Sequence, residues 1–525
     1  MEQRHYKIFE IVVTMVLVFL CGLILAEKIN LSTADLGRHI KNGEVLLQAP
    51  WSEKMAVLHT NFYSYTENNF AFVNHHWLSG VIFYLLFVSF SFYSLSVFYI
   101  LLVTSAFYLL FRIAREEIGI EIASILAVLT LPIITQRAEV RPEAVTYFFI
   151  ALFFYILWQW QKDEGKNKKI LVLPLLMLLW INLHVGFIFG FVLFGAFWLD
   201  EVIKYFKNKE SKKLIKLTVI SFVSLVTALV NPFFIKGLLY PLNIFKNYGY
   251  MIVENQSILF LRNLGFGAGL HFELIIFLYV IFASSFTFLL YKFRKKILNE
   301  FPFHYFLILL TVSVLSFSAL RNFPVFALLF LPIIAYNLKL IFTNDFRFFH
   351  RNTLIVITSV VLFLFSLSSW KQIENKGQTF GIGLLPQVNT SVEFFKEQKI
   401  KGPIFNNYDI GGFLIFNLFQ EQKVFVDNRP EAYPVDFFKK VYIPAQENEA
   451  DWQKLEALYN FNVVFFSYKD YTPWGQNFLV SKISDPTWAP VFVDSYNIIF
   501  LKRNSQNSEI IKKYEISKDR FSVRK

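Results

Sequence analysis

The 525-residue sequence predicts a mainly α-helical, polytopic bundle of transmembrane helices that is followed by a soluble C-terminal α/β domain. Hydrophobic residues make up 55% of the chain and include 64 phenylalanines, above the roughly 45–50% of soluble domains. Apolar runs of about 18–20 residues, long enough to cross a bilayer, recur as far as about residue 370. Beyond that point, short apolar segments alternate with helical patterns, which is typical of a small α/β domain.

The apolar runs predict about eleven membrane spans, with about 11–13 as the range. They cover residues 8–26, 77–111, 120–135, 144–161, 170–184, 186–203, 215–231, 271–291, 303–320, 322–341 and 353–370. Because no small-residue cleavage site follows the first run, we expect a retained signal anchor. Region 77–111 is too long for one straight helix, so we expect an interfacial helix over about 77–90 before the span. The predicted domains are a membrane domain at 1–370, with an outer loop at 27–76, and an extracytoplasmic domain at 371–525.

The formal net charge of +12 is explained by basic clusters between the spans, and we therefore expect the lipid bilayer, not nucleic acid, as a partner. If region 77–111 crosses once, all clusters fall on one side: Arg4/Lys7, Arg112/Arg115, Lys162–Lys169, Lys204–Lys216, Lys292–Lys296 and Arg347/Arg351. The positive-inside rule then predicts a multi-pass protein of the plasma (inner) membrane, with a cytoplasmic N-terminus and an extracytoplasmic C-terminal domain. The lone cysteine, Cys21, excludes an intrachain disulfide and a cysteine-based metal or redox site.

Polar residues interrupt the apolar sequence at five places that this orientation puts on the outer face. They are the loop around Asp35, 136–143, 182–184, 231–232 and 321–324. Polar groups near membrane depth are costly, and they usually face a cavity or a partner. We therefore expect one shared outer cavity.

Asp35 and His39 are four residues apart, which places them on one face of a short helix. An acid just outside the membrane can act as a general base, or it can bind a divalent cation together with His39. The alternative is a solvated amphipathic helix that lies on the bilayer. His75 and His76 precede Trp77, and this group is typical of an interface anchor.

Arg137 and Arg141 form an outer turn with Glu139 and Glu143. The arginines can hold a phosphate through paired donors, and the glutamates can bind a cation. A turn in which these charges neutralise one another is the alternative. Arg321 lies between two apolar runs, where it can serve a lipid phosphate or extend its charge to the interface.

The C-terminal region predicts buried strands at 402–405, 423–427, 463–467, 491–494 and 498–501, and helices at 411–419, 434–446 and 451–460. No Gly-rich phosphate loop of the nucleotide-binding type is present. The polar turn 427–433 follows a predicted strand, where α/β sheets often bind ligands. It can equally dock the domain onto the membrane loops.

In order along the chain, these motifs resemble those of GT-C fold membrane glycosyltransferases, and the chain is similar to family-39 mannosyltransferases and lipid A aminoarabinose transferases. The motifs are Asp35-Leu36-Gly37-Arg38-His39, Phe62–Thr66, His75-His76-Trp77-Leu78, Arg141-Pro142-Glu143, Asn182-Leu183-His184, Asn231-Pro232, Arg321-Asn322, Asn406–Gly412 and Val426–Arg429. Relatives commonly have Glu where His76 stands.

The resemblance implies transfer of a sugar from a polyprenyl-phosphate donor to a glycan, lipid or protein acceptor outside the cytoplasm, with Asp35 as the base. Substrate-binding roles fall to Arg38, His39, His75, Arg137, Arg141, Glu143 and Arg321. Glu139, together with Asp35, is the candidate ligand set for a divalent metal cation, and the cofactor is otherwise unknown. The rival hypotheses are a non-catalytic membrane transporter or lipid-binding scaffold of an envelope glycan pathway, and a polymerase or ligase of lipid-linked glycans.

Overall fold

The computed structural model describes residues 2–209, 211–243, 248–265, 271–342 and 351–522. The helices up to residue 376 are α1 (Glu2–Leu25), α2 (Leu36–Gln48), α3 (Trp51–His59), α4 (Trp77–Ile118), α5 (Ile120–Ile134), α6 (Glu143–Lys162), α7 (Leu173–Leu183), α8 (Ile188–Asn208), α9 (Lys212–Thr227), α10 (Ile235–Leu239), α11 (Ile258–Asn263), α12 (Phe272–Lys292), α13 (Ile297–Glu300), α14 (Phe303–Ser318), α15 (Phe323–Ile341) and α16 (Arg351–Lys376).

The remaining elements alternate between helices and strands. They are α17 (Thr390–Glu397), β1 (Ile404–Asn406), α18 (Gly411–Leu418), α19 (Pro444–Glu447), α20 (Glu449–Tyr459), β2 (Val463–Ser467), α21 (Pro473–Ser484), β3 (Trp488–Val493), β4 (Asn497–Lys502) and α22 (Ser508–Tyr514). A π-helical turn, Phe437–Tyr442, precedes α19.

Each predicted span coincides with a helix, and the protein is a multi-pass membrane protein. Among the described residues, seven helices are long and apolar enough to cross a membrane, and α5 and α14 are shorter apolar helices. The expected division of region 77–111 is confirmed, because Phe90 and Ser91 have non-helical backbone angles that break α4. Of the predicted basic cluster at Arg347 and Arg351, Arg347 and the side chain of Arg351 lie outside the described residues.

The chain forms two compact units. The first comprises Met1–Glu27, Ser96–Leu238 and Ile252–Gly381, and the second comprises Lys28–Leu95, Leu239–Met251 and Ile382–Lys525. In the first unit α15 packs against α5, α12 and α14, and every residue from Phe323 to Ala335 is buried. A helix that is apolar on all sides is stable only when it is enclosed, so α15 forms the centre of the bundle.

The outer helices of the first unit expose large apolar side chains that a soluble protein would bury. Phe19 of α1 is 66% exposed, and Phe363 of α16 is 62% exposed. Both positions lie on helices that are apolar enough to cross a membrane. Exposed surface of this kind is stable where lipid covers it, because lipid tails are as apolar as these side chains.

The second unit contains a four-stranded sheet in the order β1-β2-β4-β3. Strand β1 pairs with β2 in parallel, with Phe405 opposite Val464, and the other pairs are antiparallel. Central strand β2 is buried over its whole length. Trp452 of α20 stacks on Phe461 at 5.4 Å and closes one side of the core.

The predicted strand at 423–427 is wrong. Val424 makes only an isolated bridge to Ser64, in which its N–H donates to the Tyr63 carbonyl. The side chain of Asn406 bonds the next backbone groups, since its Nδ2 donates to Val426 O at 2.8 Å and its Oδ1 accepts from Phe425 N at 2.9 Å. The segment is apolar and buried like a strand, but its backbone is satisfied by a loop and a side chain.

Two glycines let α2 approach its neighbours within the second unit. A β-carbon at Gly43 would lie 2.1 Å from the carbonyl oxygen of Gly80 in α4. A β-carbon at Gly37 would lie 2.9 Å from the carbonyl oxygen of Gly412 in α18. Distances this short exclude any side chain, so the backbone of α2, which follows Asp35, is held directly against both helices.

Candidate active site

Six charged side chains of the first unit form one cluster, hereafter the arginine cluster. Its members are Arg137, Glu139, Arg141, Glu143, Glu254 and Arg321. Glu143 lies at its centre, with one carboxylate oxygen 3.4 Å from Nη1 of Arg137 and the other 2.8 Å from Nη2 of Arg321. Both the Glu143 and Arg137 side chains are almost buried, at 13% and 10% exposure. Buried charges of this kind are stable only when they are paired.

Glu254 bridges two of the arginines. Its Oε2 lies 2.8 Å from Nη2 of Arg137, and its Oε1 lies 3.0 Å from Nη1 of Arg141. Burial acts to raise its pKa, but the positive charges of Arg137 and Arg141 hold the pKa of Glu254 below its ordinary value. The carboxylate is therefore ionised, and it takes the position between two guanidinium groups that suits an anion.

Local structure positions these groups. Pro142 starts α6 and leaves Glu143 in the first turn, where the helix dipole favours a negative charge. The hydroxyl of Tyr99 donates to the carbonyl of Arg137. A 3₁₀ turn, Leu320–Asn322, separates α14 from α15. From this turn, Nη1 of Arg321 donates to Oδ1 of Asn255 at 2.9 Å.

The structure thus brings together five of the residues singled out in the sequence and adds one that was missed. Three arginines are balanced by three glutamates, so the alternative of a self-neutralising turn is realised, with Arg141 also 2.6 Å from Glu139. Glu254 was missed because it lies more than a hundred residues from both arginines. The available signal was a single acid within the apolar sequence Met251-Ile252-Val253-Glu254.

Asp35 lies in the second unit, at the N-terminal end of α2. One of its carboxylate oxygens, Oδ1, accepts a hydrogen bond from Nδ2 of Asn428. The side chain is half-buried, and the start of a helix favours its negative charge. A carboxylate that is oriented through one oxygen and still partly open to solvent has the geometry of a general base.

Arg38, one helical turn further along α2, is buried and contacts the same residue, Asn428. Its Nε donates to Oδ1 of Asn428 at 3.4 Å. Burial raises the pKa of Glu431, which the positive charges of Arg38 and Arg429 partly oppose. The hydroxyl of Tyr408 has no hydrogen-bond partner among the described residues, and burial, then the charges of Glu431 and Asp35, raise its pKa. A guanidinium, an amide, a phenol and the carboxylate of Glu431 therefore lie in the surroundings of Asp35.

His39 and His75 meet through His76. The rings of His39 and His76 are 5.3 Å apart, edge to face, and those of His75 and His76 are 3.9 Å apart. Nδ1 of His75 lies 3.1 Å from the carbonyl oxygen of Val73. Both His39 and His75 are buried, and their roles in substrate binding stay predictions.

The proposed metal ligands do not form a ready cation site. Glu139 is paired with the guanidinium of Arg141, so a cation there would have to replace an existing positive partner. Asp35 has one oxygen committed to an amide donor. In the part of the chain that the structure describes, no group of three or more His, Cys, Asp or Glu side chains is arranged to hold a metal ion. The donor set does not fit a metal without rearrangement, and the role of Glu139 with Asp35 stays a prediction.

Another acid of the second unit, Asp409, lies just after β1. Asn407, two residues before it, donates from Nδ2 to Oδ2 of Asp470 at 3.1 Å. Asp470 is buried and also accepts from the backbone and hydroxyl of Thr472. Burial, followed by the negative charges of Asp470 and Asp35, raises the pKa of Asp409 to about 7. Asp409 therefore keeps its proton under conditions where an ordinary aspartate has lost it.

Comparison with solved structures places the chain in a known fold. It is similar to the archaeal oligosaccharyltransferase AglB from Archaeoglobus fulgidus in complex with an inhibitory peptide and a dolichol-phosphate, with a TM-score of 0.54 and 13% identity over 95% of this chain and 75% of that one. It is also similar to ArnT from Cupriavidus metallidurans in the apo state, with a TM-score of 0.50 and 12% identity over 95% of this chain and 98% of that one.

No protein-family model and no curated protein matches the sequence. The structural similarity nevertheless extends over most of the chain, and it confirms the fold that the resemblance predicted. The fold is GT-C-like, mainly helical, with a mixed sheet in the C-terminal region.

We predict that Asp409→Asn changes how stability depends on pH. The raised pKa means that the folded wild-type protein loses stability as pH rises from about 4 through about 7, because the unfolded chain releases this proton first. Between pH 5 and pH 8 the unfolding free energy of wild type should fall relative to the variant by on the order of 1–3 kcal/mol. Denaturation in detergent micelles measures this, with Asp436→Asn, an exposed partner of Lys440, as the control. Parallel pH curves for wild type and Asp409→Asn would contradict the assignment.

Proposed function

We propose that the protein is a membrane glycosyltransferase that moves a sugar from a polyprenyl-phosphate donor to an acceptor outside the cytoplasm. The observation that carries the proposal is the placement of Asp35 in a GT-C-like fold. This acid begins a helix in the loop after the first membrane span, half-buried, with one oxygen held by an amide. Such an arrangement suits a base better than a structural ion pair, because the donor to the carboxylate is the neutral amide of Asn428.

The proposed reaction is a single displacement. Asp35 accepts the proton of an acceptor hydroxyl as the acceptor oxygen bonds to the anomeric carbon of the sugar. The bond between that carbon and the phosphate oxygen breaks, its electron pair leaves with the polyprenyl phosphate, and the configuration at carbon inverts. The products are the glycosylated acceptor and the lipid phosphate anion. No step requires a metal, because a phosphate that meets guanidinium groups is already a workable leaving group.

The arginine cluster is the proposed site for the donor phosphate. Arg137, Arg141 and Arg321 provide planar donors that match phosphate oxygens. The AglB structure contains a bound dolichol-phosphate, which supports a lipid phosphate as the ligand here. The three arginines are already paired with carboxylates, so a phosphate has to replace one of these carboxylates. Glu254 is the best candidate for displacement, because it bridges Arg137 and Arg141 and is more exposed, at 28%, than Glu143, at 13%. Glu139 is more exposed, at 45%, but it pairs with Arg141 alone.

The proposed orientation has the N-terminus in the cytoplasm and the second unit, with its C-terminal segment, outside it, in the plasma membrane. The basic loops support this orientation through the positive-inside rule. The sugar and the acceptor, whether glycan, lipid or protein, are not specified by these residues. A non-catalytic transporter or lipid-binding scaffold is the rival hypothesis, and an assay of donor turnover distinguishes it from a transferase.

We predict that Asp35→Asn lowers kcat by at least about a hundredfold, because a general base contributes roughly 10²–10⁴-fold. The assay follows polyprenyl phosphate released from a panel of polyprenyl-phosphate sugars by protein in nanodiscs, with envelope extract as the acceptor source. Asp436→Asn should retain full activity, and circular dichroism should be unchanged in both variants. Full activity of Asp35→Asn would reject the base, and donor binding without turnover in wild type would favour the non-catalytic rival.

We predict that Glu254→Gln lowers the KM for the donor by about three- to tenfold at unchanged kcat, because it removes a negative charge that competes with the phosphate. Glutamine has nearly the same shape and still accepts from the arginines. Glu164→Gln, in an exposed loop of the same unit, serves as the control. A rise in KM would mean that Glu254 organises the arginines for the donor and does not compete with it.

We predict that Tyr471→Cys is labelled by a membrane-impermeant maleimide in intact cells, whereas Lys166→Cys is labelled only after permeabilisation. Tyr471 is 87% exposed in the second unit, and the Lys166 side chain is 82% exposed in a predicted cytoplasmic cluster. We expect little labelling of the unmodified protein, because its one native cysteine, Cys21, is buried. The reverse pattern would invert the proposed orientation.

A further inference from the structure

Asn428 contacts Asp35 and Arg38 at once through its side-chain amide. Nδ2 donates to Oδ1 of Asp35, and Oδ1 accepts from Nε of Arg38 at 3.4 Å. The contact joins residues almost four hundred positions apart in the sequence, and all three belong to the second unit.

Only one orientation of this amide is compatible with its neighbours. A flipped amide would point its carbonyl oxygen at the Asp35 carboxylate and its NH₂ group at the Arg38 guanidinium, and both contacts would be repulsive. The donor side of Asn428 is therefore always directed at Asp35. An aspartate at this position would place a second carboxylate beside Asp35 and could not donate to it.

The backbone around Asn428 is unusually well fixed. Asp427 and Arg429, on either side, form a buried pair in which Nε and Nη2 of Arg429 lie 2.7 Å and 2.6 Å from the two oxygens of Asp427. Nη2 of Arg429 also donates to Oδ1 of Asn61 at 2.8 Å, which ties this turn to the first loop. Asp427 N donates to the hydroxyl of Tyr433 at 2.9 Å.

The contact also depends on close packing behind the amide. A β-carbon at Gly412 would lie 3.2 Å from Nδ2 of Asn428 and 3.3 Å from the carbonyl oxygen of Ala34, which precedes Asp35. A side chain at position 412 would therefore crowd both the Asn428 amide and the backbone next to Asp35. The amide has little room to rotate away from the carboxylate.

We propose that Asn428 is a positioning residue for the proposed base, since its amide holds one oxygen of Asp35 and directs the other toward the acceptor hydroxyl. This inference rests on the proposed function. It makes the turn 427–433 a part of the active site through Asp35 and not only a docking segment. Misplacement of a reacting group by about 1 Å can cost roughly a hundredfold in rate.

The first arm of the test does not need activity. Asp35→Ala, Asn428→Ala and the double variant are compared by thermal unfolding in detergent, because an asparagine at position 35 would still accept the amide hydrogen bond. If the two side chains hold each other, each single change lowers Tm by about 2–6 °C, and the double variant falls no further than the worse single one. Asn417→Ala, which removes an amide that donates to the Phe413 carbonyl of its own helix, should add independently to Asp35→Ala. Additive shifts for Asn428 would overturn the inference.

The second arm measures rate. Asn428→Ala should lower kcat about ten- to a hundredfold with a donor KM within about twofold, and the acidic limb of the pH–rate profile should move to higher pH. Asn428→Asp keeps the volume and the Arg38 contact but lacks the donor, so it should be at least as impaired even if the alanine variant folds poorly. An unchanged kcat and pH profile in Asn428→Asp, with Asp35→Asn inactive, would overturn the positioning role alone. Full activity of Asp35→Asn would instead reject the proposed base.

Discussion

The buried pair of Asp427 and Arg429 is the interaction on which the second unit depends. Both side chains are almost fully enclosed, at 0% and 1% exposure, and a buried ion pair gains from further hydrogen bonds to its charged atoms. Tyr433 donates to Oδ2 of Asp427, and Nη2 of Arg429 donates to Asn61, whereas Nη1 of Arg429 has no hydrogen-bond partner among the described residues. The bond to Asn61 joins the first loop of the chain to the C-terminal segment, and Asn428, which contacts Asp35, lies between the two paired residues.

The first unit also holds buried charges that are stable because they are paired, but here six groups form the cluster and not two. Its arginine cluster holds three positive and three negative groups, so it is neutral as a whole and can be stable near membrane depth. Glu143 is held by two arginines in the interior, whereas Glu254 is the more exposed acid at its edge. Neutrality makes the cluster stable without a ligand, and an anion can bind only by taking over a partner that the cluster already has.

Much of the fold could be predicted from the chain alone. A run such as Leu354–Trp370, without any charge, can be stable only in a bilayer or a large core, and it lies within α16 as expected. Asp35 and Arg321 were recognised because a charge that interrupts apolar sequence has a cost that needs an explanation. The strand predicted at Lys423–Asp427 was wrong, because a buried apolar segment can be a strand or a loop whose backbone is bonded by a side chain such as Asn406.

The sequence by itself determined the membrane class and the helix positions, because these follow from the length of apolar runs, and its family resemblance offered Asp35 as a candidate base. Only the tertiary structure decided which charges meet. Glu254 bridges Arg137 and Arg141, and Asn428 holds Asp35, across separations for which one sequence contains no periodic signal. Hydrophobic periodicity is a local property, whereas the pairing of buried charges depends on where the folded chain returns to itself within each unit.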